Sequence, residues 1–98
     1  MQLKLRINGQ TKTFLPTFIS GRIVRNVTQI LPKLQESSIS TELVDELVEL
    51  MVRIYDNQFT FDEFYDGIEA TKLLTTITET LNFVMYGINS RIEKLPNE

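Results

Sequence analysis

The first fifteen residues alternate between apolar and polar side chains on either side of an Asn-Gly pair. Leu3, Leu5 and Ile7 alternate with basic residues, which is the pattern of a strand with one buried face. Asn8-Gly9 is the preferred pair for a two-residue type I′ turn. The pattern therefore predicts a β-hairpin over residues 1–15. Its expected cross-strand pairs are Ile7 with Gln10, Leu5 with Lys12, and Leu3 with Phe14.

The rest of the chain has the spacing of amphipathic helices, in which one apolar face repeats about every 3.6 residues. Ser20 is a suitable N-cap for the first helix, and Pro32 is expected to stop or kink it near Ile30 or Leu31. The second helix has an unusually wide apolar face, which indicates a central place in the core or contact with another subunit. The predicted helices span residues 20–34, 41–56, 61–67 and 70–91, followed by a frayed tail at 92–98. The last helix is expected to bury Leu73, Leu74, Ile77, Leu81, Val84, Met85 and Ile88.

A local signal marks the start of the third helix. Thr60 and Glu63 match the T-x-x-E capping box, and Phe59 and Phe64 occupy the positions of the surrounding hydrophobic staple. Gly67 is a natural stop for this helix. Together the elements predict a mainly α fold, in which an N-terminal β-hairpin is followed by about four helices in a small single-domain bundle.

The composition excludes most routes to catalysis at neutral pH. The 98 residues include no cysteine and no histidine, so thiolate nucleophiles, disulfides and imidazole acid–base groups are absent. The carboxylate pairs Asp45–Glu49 and Asp62–Asp66 each span one helical turn, but no polar cluster converges on them. We interpret them as solvated helix faces, because a catalytic carboxylate needs burial or a close like charge to shift its pKa. We expect neither enzymatic activity, nor a cofactor, nor a metal site.

The stretch FTFDEF resembles the exit of an EF-hand calcium loop. With Glu63 as the twelfth loop residue, however, Val52 and Ile54 occupy positions where calcium needs oxygen ligands. With Asp56 as the first loop residue, the twelfth is Gly67, which has no carboxylate. The capping box therefore explains this stretch better than a calcium site does.

Charge is unevenly distributed along the chain. Residues 1–36 contain six basic side chains and one acidic one, and residues 37–98 contain four basic and twelve acidic ones, within a net charge of -3. The six bases lack aromatic stacking partners, so a solvated basic face or a basic-to-acidic self-contact is favoured over nucleic-acid binding. There is no apolar run of about 20 residues for a membrane span and no signal-peptide pattern. We therefore expect a cytoplasmic protein.

Aromatic and methionine residues are numerous between residues 51 and 86. Such side chains are the usual anchors of protein interfaces, although they also fill the cores of small domains. The staple already accounts for Phe59 and Phe64, whereas Phe61 and Tyr65 lie one turn apart and could face outward. The residues expected to bind a partner protein are Met51, Tyr55, Phe61, Tyr65 and Met85.

The order of these elements is similar to that of a known family. A hairpin with an Asn-Gly turn is followed by PTFISGR at residues 16–22, an acidic amphipathic helix at 41–56, and NQFTFDEFYDGIEATKLLTTI at 57–77. This arrangement resembles the tail assembly chaperones of siphophages that infect Gram-positive bacteria, in their short, non-frameshifted form. The resemblance covers most of the chain.

The resemblance implies a small, mostly helical, non-enzymatic protein that acts in the cytoplasm of the host cell and is not part of the mature virion. Such chaperones hold the long tape measure protein in solution while the tail tube polymerises. A frameshifted long form carries a second domain that recruits the tail tube protein. The opposite charges of the two parts of the sequence would suit a head-to-tail homo-oligomer. The alternative is a small helical adaptor or regulatory domain that acts through homo-oligomerisation or by binding a partner helix.

Overall fold

The computed structural model describes residues 2–36 and 38–93, including their side chains except at residue 36 and residues 87–93. Within this part of the chain, the fold is mainly α, with an N-terminal antiparallel hairpin followed by four helices, which confirms the predicted fold class. The elements are β1 (Leu3–Ile7), β2 (Gln10–Phe14), α1 (Gly21–Glu36), α2 (Thr41–Ile54), α3 (Phe61–Gly67), a 3₁₀ turn (Ala70–Lys72) and α4 (Leu73–Glu93).

The β-hairpin forms as the alternation predicts. Asn8 and Gly9 both have positive φ, at 54° and 76°, as a type I′ turn requires. The register is the predicted one, with Leu3 opposite Phe14, Leu5 opposite Lys12 and Ile7 opposite Gln10. Leu3 and Leu5 are buried, whereas the first four residues of β2 are exposed. The hairpin therefore joins the core through β1 and through Phe14 at the end of β2, while residues 10–13 lie at the surface.

Helix α1 continues through Pro32 to residue 36, two residues beyond the predicted end at residue 34. The predicted stop near Ile30 or Leu31 is therefore wrong. Proline removes one helical hydrogen bond and crowds the preceding turn, but the last turn of α1 is tied to α2. The Nζ of Lys33 lies 3.1 Å from Oε2 of Glu46, and Leu34 packs partly buried against the core. The packing of Leu34 holds this last turn against the core, whereas the exposed ion pair adds little, because surface pairs contribute about 0–1 kcal/mol.

Helix α2 supplies the largest share of the described core. Ser40 caps its N-terminus, because its Oγ accepts a hydrogen bond from the amide of Leu43 at 3.1 Å. The helix ends at Ile54, two residues before the predicted end, and the chain then turns through Asp56 and Asn57, whose φ values are 56° and 60°. Its buried residues are Leu43, Leu47, Val48, Leu50, Met51 and Ile54.

Helix α3 begins with the predicted capping box. The amide of Thr60 donates to Oε1 of Glu63 at 2.9 Å, and the amide of Glu63 donates to Oγ1 of Thr60 at 3.0 Å. The rings of Phe59 and Phe64 stack with centroids 5.9 Å apart, and both are buried, which is the predicted staple. Gly67 is the last residue of the helix, and the backbone is extended directly after it.

Helix α4 buries part of the predicted apolar stripe. Ile77, Leu81 and Val84 are buried. Leu74 is 41% exposed, so its predicted burial is wrong, because the buried face is centred nearer Thr80. Thr80 is 2% exposed, and its hydroxyl donates to the carbonyl oxygen of Thr76 at 2.9 Å, which satisfies it in an apolar environment. The side chain of Ile88 lies outside the described residues.

The C-terminal end of α4 differs slightly from the prediction. The helix extends to residue 93 rather than 91, and residues 94–98 of the predicted frayed tail lie outside the described part of the chain. Among the residues that the structure describes, no helix is both long and apolar enough to cross a membrane.

The elements pack around α2, which contacts α1, α3 and α4, while α3 also packs against β1. Aromatic rings link the hairpin to this core. The rings of Phe14 and Phe59 meet edge to face with centroids 5.1 Å apart, and the Tyr55 ring lies 5.5 Å from that of Phe59. The hairpin is therefore fastened to the segment that connects α2 with α3.

Candidate partner-binding surface

Phe61 and Tyr65 form an aromatic pair on α3. Their rings meet edge to face with centroids 5.0 Å apart, and both side chains are partly buried against the core. The hydroxyl of Tyr65 donates to Oδ1 of Asp45 on α2 at 2.6 Å. The pair therefore fastens α3 to α2, and part of each ring is accessible at the surface.

The environment of Tyr65 keeps its hydroxyl protonated. Burial raises the pKa of Tyr65 from the usual 10.0 to about 12, and the hydrogen bond from the hydroxyl to Asp45 and the negative charge of that carboxylate add to the rise. A neutral phenol can donate its hydrogen bond throughout the neutral pH range. The link between Tyr65 and Asp45 is therefore a constant structural contact near pH 7.

Two of the expected partner-binding residues lie in the core. Met51 is 0% exposed and Tyr55 is 1% exposed. Burial raises the pKa of Tyr55, and the neighbouring Thr80 hydroxyl lowers it by a smaller amount. In a single copy of the chain, neither side chain reaches the surface. Met51 and Tyr55 can thus influence a partner only through the position of the helices that they hold together.

Helix α4 presents aromatic side chains at its surface. Met85, an expected partner-binding residue, is partly buried at the margin of the core. Phe83 and Tyr86 are 48% and 73% exposed, and three residues along a helix place them about 60° apart around its axis. They lie on the side of α4 turned away from the buried Leu81. We call Phe83 and Tyr86 the α4 patch, since Met85 lies about 160° from Phe83 around the helix axis.

A second group of exposed apolar residues lies between β2 and α1. Leu15 and Phe18 are 54% and 71% exposed. Side chains of the turn after α2 hold this segment in place, since Nε2 of Gln58 donates to the carbonyl oxygen of Leu15 at 2.6 Å. In addition, Oγ1 of Thr17 donates to Oδ2 of Asp56 at 3.4 Å. Phe18 therefore follows two residues, Leu15 and Thr17, that are hydrogen-bonded to this turn.

Sequence reasoning missed Phe83, Leu15 and Phe18 as candidate contacts. Phe83 could have been found, because it is out of phase with the apolar stripe through Leu81 and Val84. An aromatic residue on the polar side of an amphipathic helix identifies an exposed position without a structure. Leu15 and Phe18 lie in a connecting segment without a period, so only the tertiary structure shows that they are exposed.

Opposite charges occupy different exposed positions of the fold. Arg22 and Arg25 are exposed on α1, and Asp62 and Asp66 are exposed on α3. None of the four takes part in the ion pairs found among the described residues. Those pairs are Lys33–Glu46 at 3.1 Å and Lys72–Glu69 at 3.5 Å. The basic side of α1 and the acidic side of α3 are therefore available for contacts with other molecules.

Few features of the described residues suit bound ions or small molecules. No group of three or more potential metal-ligating side chains occurs among residues 2–36 and 38–93.

A shallow polar groove lies between α1 and α2, lined in part by Asn26, Lys33, Glu46 and Arg53. The Nδ2 of Asn26 is buried, and no described residue accepts a hydrogen bond from it. A buried donor without a partner lowers stability by about 1–3 kcal/mol.

Comparison with known protein families gives a match over the whole chain. The family model described as phage tail chaperone protein matches residues 1–98, the whole chain. No curated protein and no solved structure gives a significant match. The small, mainly helical fold and the exposed aromatic residues agree with the resemblance drawn from the order of the sequence elements. The chain belongs to the phage tail chaperone family.

Proposed function

We propose that this chain binds the tape measure protein and keeps it in solution while the tail tube assembles. Membership of the tail chaperone family supports a role in tail assembly. The main structural support is that Phe18, Phe83 and Tyr86 are 71%, 48% and 73% exposed, although seventeen other apolar residues of the described part of the chain form a core. Exposed aromatic side chains of this kind contribute strongly to protein interfaces.

We assign the client contact first to the α4 patch. Phe83 and Tyr86 on α4 can pack against an apolar face of a client helix. Phe61 and Tyr65 would add the accessible parts of their rings. Met51 and Tyr55 would act indirectly by fixing α2, to which Tyr65 is bonded through Asp45.

The small size of the chain favours binding in many copies. One copy offers a few exposed apolar side chains, and each such contact provides modest affinity. Several copies along one long client would bind with an avidity greater than that of each single contact. In this arrangement the chaperone covers the apolar faces of the client until they are buried in the tail.

We also propose that the copies associate head to tail. The basic side of α1 with Arg22 and Arg25 would contact the acidic side of α3 with Asp62 and Asp66 on the next copy. Two different surfaces are used, so the contact is heterologous and can continue as an open spiral. An open spiral can follow a long client, whereas a closed dimer cannot.

In this role the protein is non-enzymatic and works in the cytoplasm of the infected cell. A frameshifted long form would connect the client-bound chaperone to the tail tube protein. The alternative function is a small helical adaptor or regulatory domain that uses the same surfaces for homo-oligomerisation or a different partner helix. The two functions differ in whether the tape measure protein depends on this chain for its solubility.

Co-expression with the tape measure protein tests the proposal. The double variant Phe83→Ser with Tyr86→Ser should lower recovery of soluble client at least about tenfold, since burial of each aromatic side chain provides about 1.5–3 kcal/mol. The matched control is Glu79→Ser with Asn82→Ser, which changes two exposed polar residues of α4 and should leave recovery unchanged. Circular dichroism and urea unfolding should show that both double variants are folded.

The possible results separate the hypotheses. Unchanged recovery with the aromatic double variant would reject the α4 patch as the client site. Phe61→Ser and Tyr65→Ser then test the aromatic pair on α3, with Tyr65→Phe as the control that retains the ring. If the unaltered chain neither co-purifies with the tape measure protein nor raises its solubility, the adaptor function is favoured instead.

A further inference from the structure

We propose that the free edge of β2 is a second binding site, which takes an acidic, extended segment of another polypeptide as an added strand. This site is separate from the α4 patch, and its partner differs in kind. The tape measure client would offer a helical face, whereas the β2 edge recognises a backbone in the extended conformation.

The main-chain groups of two threonines on β2 point away from β1. In the described residues the sheet has two strands, and the two-residue turn makes Ile7 and Gln10 a hydrogen-bonded pair. Hydrogen-bonded and non-hydrogen-bonded pairs alternate along an antiparallel ladder. The backbone groups of Thr11 and Thr13 therefore face outward. Neither residue has a hydrogen bond to another described element.

Neighbouring residues cover the outer edge of β1 and end the free edge of β2. Helix α3 covers the outer edge of β1, since a β-carbon at Gly67 would lie 2.8 Å from the carbonyl oxygen of Arg6. The free edge of β2 ends at Leu15, whose carbonyl oxygen already accepts a hydrogen bond from Nε2 of Gln58 at 2.6 Å. The site therefore offers one donor and one acceptor from each of its two outward-facing threonines.

The charge of the hairpin defines the partner. Strand β2 has one basic residue, the exposed Lys12, and no acidic residue. Lys12 lies between the two outward-facing threonines, so an added strand places one residue directly opposite it. A carboxylate at this position would form a favourable cross-strand pair. The exposed side chains of Leu15 and Phe18, just past the edge, suit an apolar residue at one end of the bound segment.

A second copy of β2 does not fit this edge well. Antiparallel self-pairing that uses both Thr11 and Thr13 of each copy is centred on Lys12, and it places two lysines directly opposite each other. Like charges in this position are destabilising, and lysine on an edge strand is a common protection against self-pairing. If the second copy pairs farther from the turn, it has to hydrogen-bond to the carbonyl oxygen of Leu15. That oxygen already accepts a hydrogen bond from Gln58. The favoured occupant is therefore an acidic strand from a different polypeptide.

Peptide titration of the isotope-labelled full chain tests the site. The probe is a synthetic peptide of about seven alternating threonine and glutamate residues, and its matched control has lysine in place of glutamate. We expect the glutamate peptide to bind with a Kd of about 1 mM or tighter. Binding should protect the amides of Thr11 and Thr13 from hydrogen exchange. The lysine peptide should bind at least about tenfold more weakly, because it places like charges opposite Lys12.

Variants of Lys12 and Thr13 test whether the peptide binds at the β2 edge or at another surface. Proline is tolerated in an edge strand where its nitrogen faces outward, so Thr13→Pro removes one docking donor and should weaken binding about tenfold. Thr13→Val keeps the amide and should bind like the unaltered chain. Lys12→Glu should reverse the preference, so that the lysine peptide binds more tightly. Recovery of the tape measure protein should be the same for all three variants.

Several results would overturn the proposal. One is that neither peptide binds, and another is that Thr13→Pro binds as well as Thr13→Val. A peptide preference that does not follow the charge of residue 12 would also reject the site. If Thr13→Pro unfolds the hairpin, the proposal is tested by Lys12→Glu alone, through the reversed preference for the lysine peptide over the glutamate peptide. Self-association that Thr13→Pro abolishes would show that a second copy occupies the edge.

Discussion

Gly67 of α3 lies so close to Arg6 of β1 that a side chain cannot be added without displacing one of the two elements. A β-carbon at Gly67 would lie 2.8 Å from the carbonyl oxygen of Arg6 and 3.1 Å from the β-carbon of Leu5. The φ of Gly67 is not positive, so the glycine serves close approach rather than a left-handed helix end. The missing side chain is what allows α3 to cover β1.

Replacing Gly67 by alanine should therefore destabilise the fold. In an unobstructed helix this change would stabilise by up to about 1 kcal/mol, but the contact with rigid backbone should cost about 1–3 kcal/mol. The matched control is Gly21→Ala in α1, where a β-carbon would meet no atom within 4 Å. Urea unfolding should show a lower free energy of unfolding for the first variant only. Equal stabilities would mean that α3 can move away from β1 without cost.

The hydrogen bond between Tyr65 and Asp45 should contribute to stability below pH 10 and lose its effect at higher pH. The pKa of Tyr65 is raised from 10.0 to about 12 in the folded chain, so the unfolded chain loses this proton first. The stabilisation is complete below the unfolded pKa and disappears as the pH rises through the folded pKa. The Tyr65→Phe variant should thus be less stable than the unaltered chain at pH 8, and the difference should shrink between pH about 10 and about 12.

A second tyrosine provides the control for this experiment. Tyr86 is 73% exposed, so Tyr86→Phe removes a phenol hydroxyl at the surface. Its free energy of unfolding should match that of the unaltered chain at pH 8. If Tyr65→Phe also has no effect at pH 8, the bond to Asp45 contributes nothing measurable to stability.

Asn26 should be a position where an apolar residue improves stability. Its buried Nδ2 lacks an acceptor among the described residues, and Leu has a similar shape without the unsatisfied donor. We expect Asn26→Leu to raise the free energy of unfolding by about 1 kcal/mol, as measured by urea unfolding. Gln29→Leu, at an exposed position of the same groove, should have little effect. A loss of stability in Asn26→Leu would show that the amide has a partner in solution.

The features that could be predicted from sequence are those whose cause lies within a few residues. The register of the hairpin follows from Asn8-Gly9, because a two-residue turn leaves one way to pair the strands. The start of α3 follows from Thr60 and Glu63, since each supplies the hydrogen bond that the other needs. In both places the local preference and the tertiary structure agree.

The features that sequence reasoning missed depend on residues far apart in the chain. Helix α1 passes Pro32, and Leu34 beyond it packs against a core that other elements complete. Tyr65 and Asp45 are 20 positions apart, and no periodic pattern connects them. The same is true of the candidate surface, since Met51 is equally apolar in sequence whether it lies inside the fold or outside. Periodicity identifies apolar helices, but the packing decides which of their residues are accessible.

The proposed head-to-tail contact predicts a defined pattern of charge rescue. Arg25→Glu on α1 or Asp66→Lys on α3 alone should weaken self-association several-fold, because each places like charges in contact between neighbouring copies. Mixing the two variants should restore association between unlike chains, since Glu at position 25 can then face Lys at position 66. Sedimentation velocity over a range of concentrations measures both effects. Raised salt should weaken the contact in the unaltered chain, because the charges involved are exposed. Variants that associate like the unaltered chain, or a chain that stays monomeric at every concentration, would contradict a head-to-tail contact through these charges.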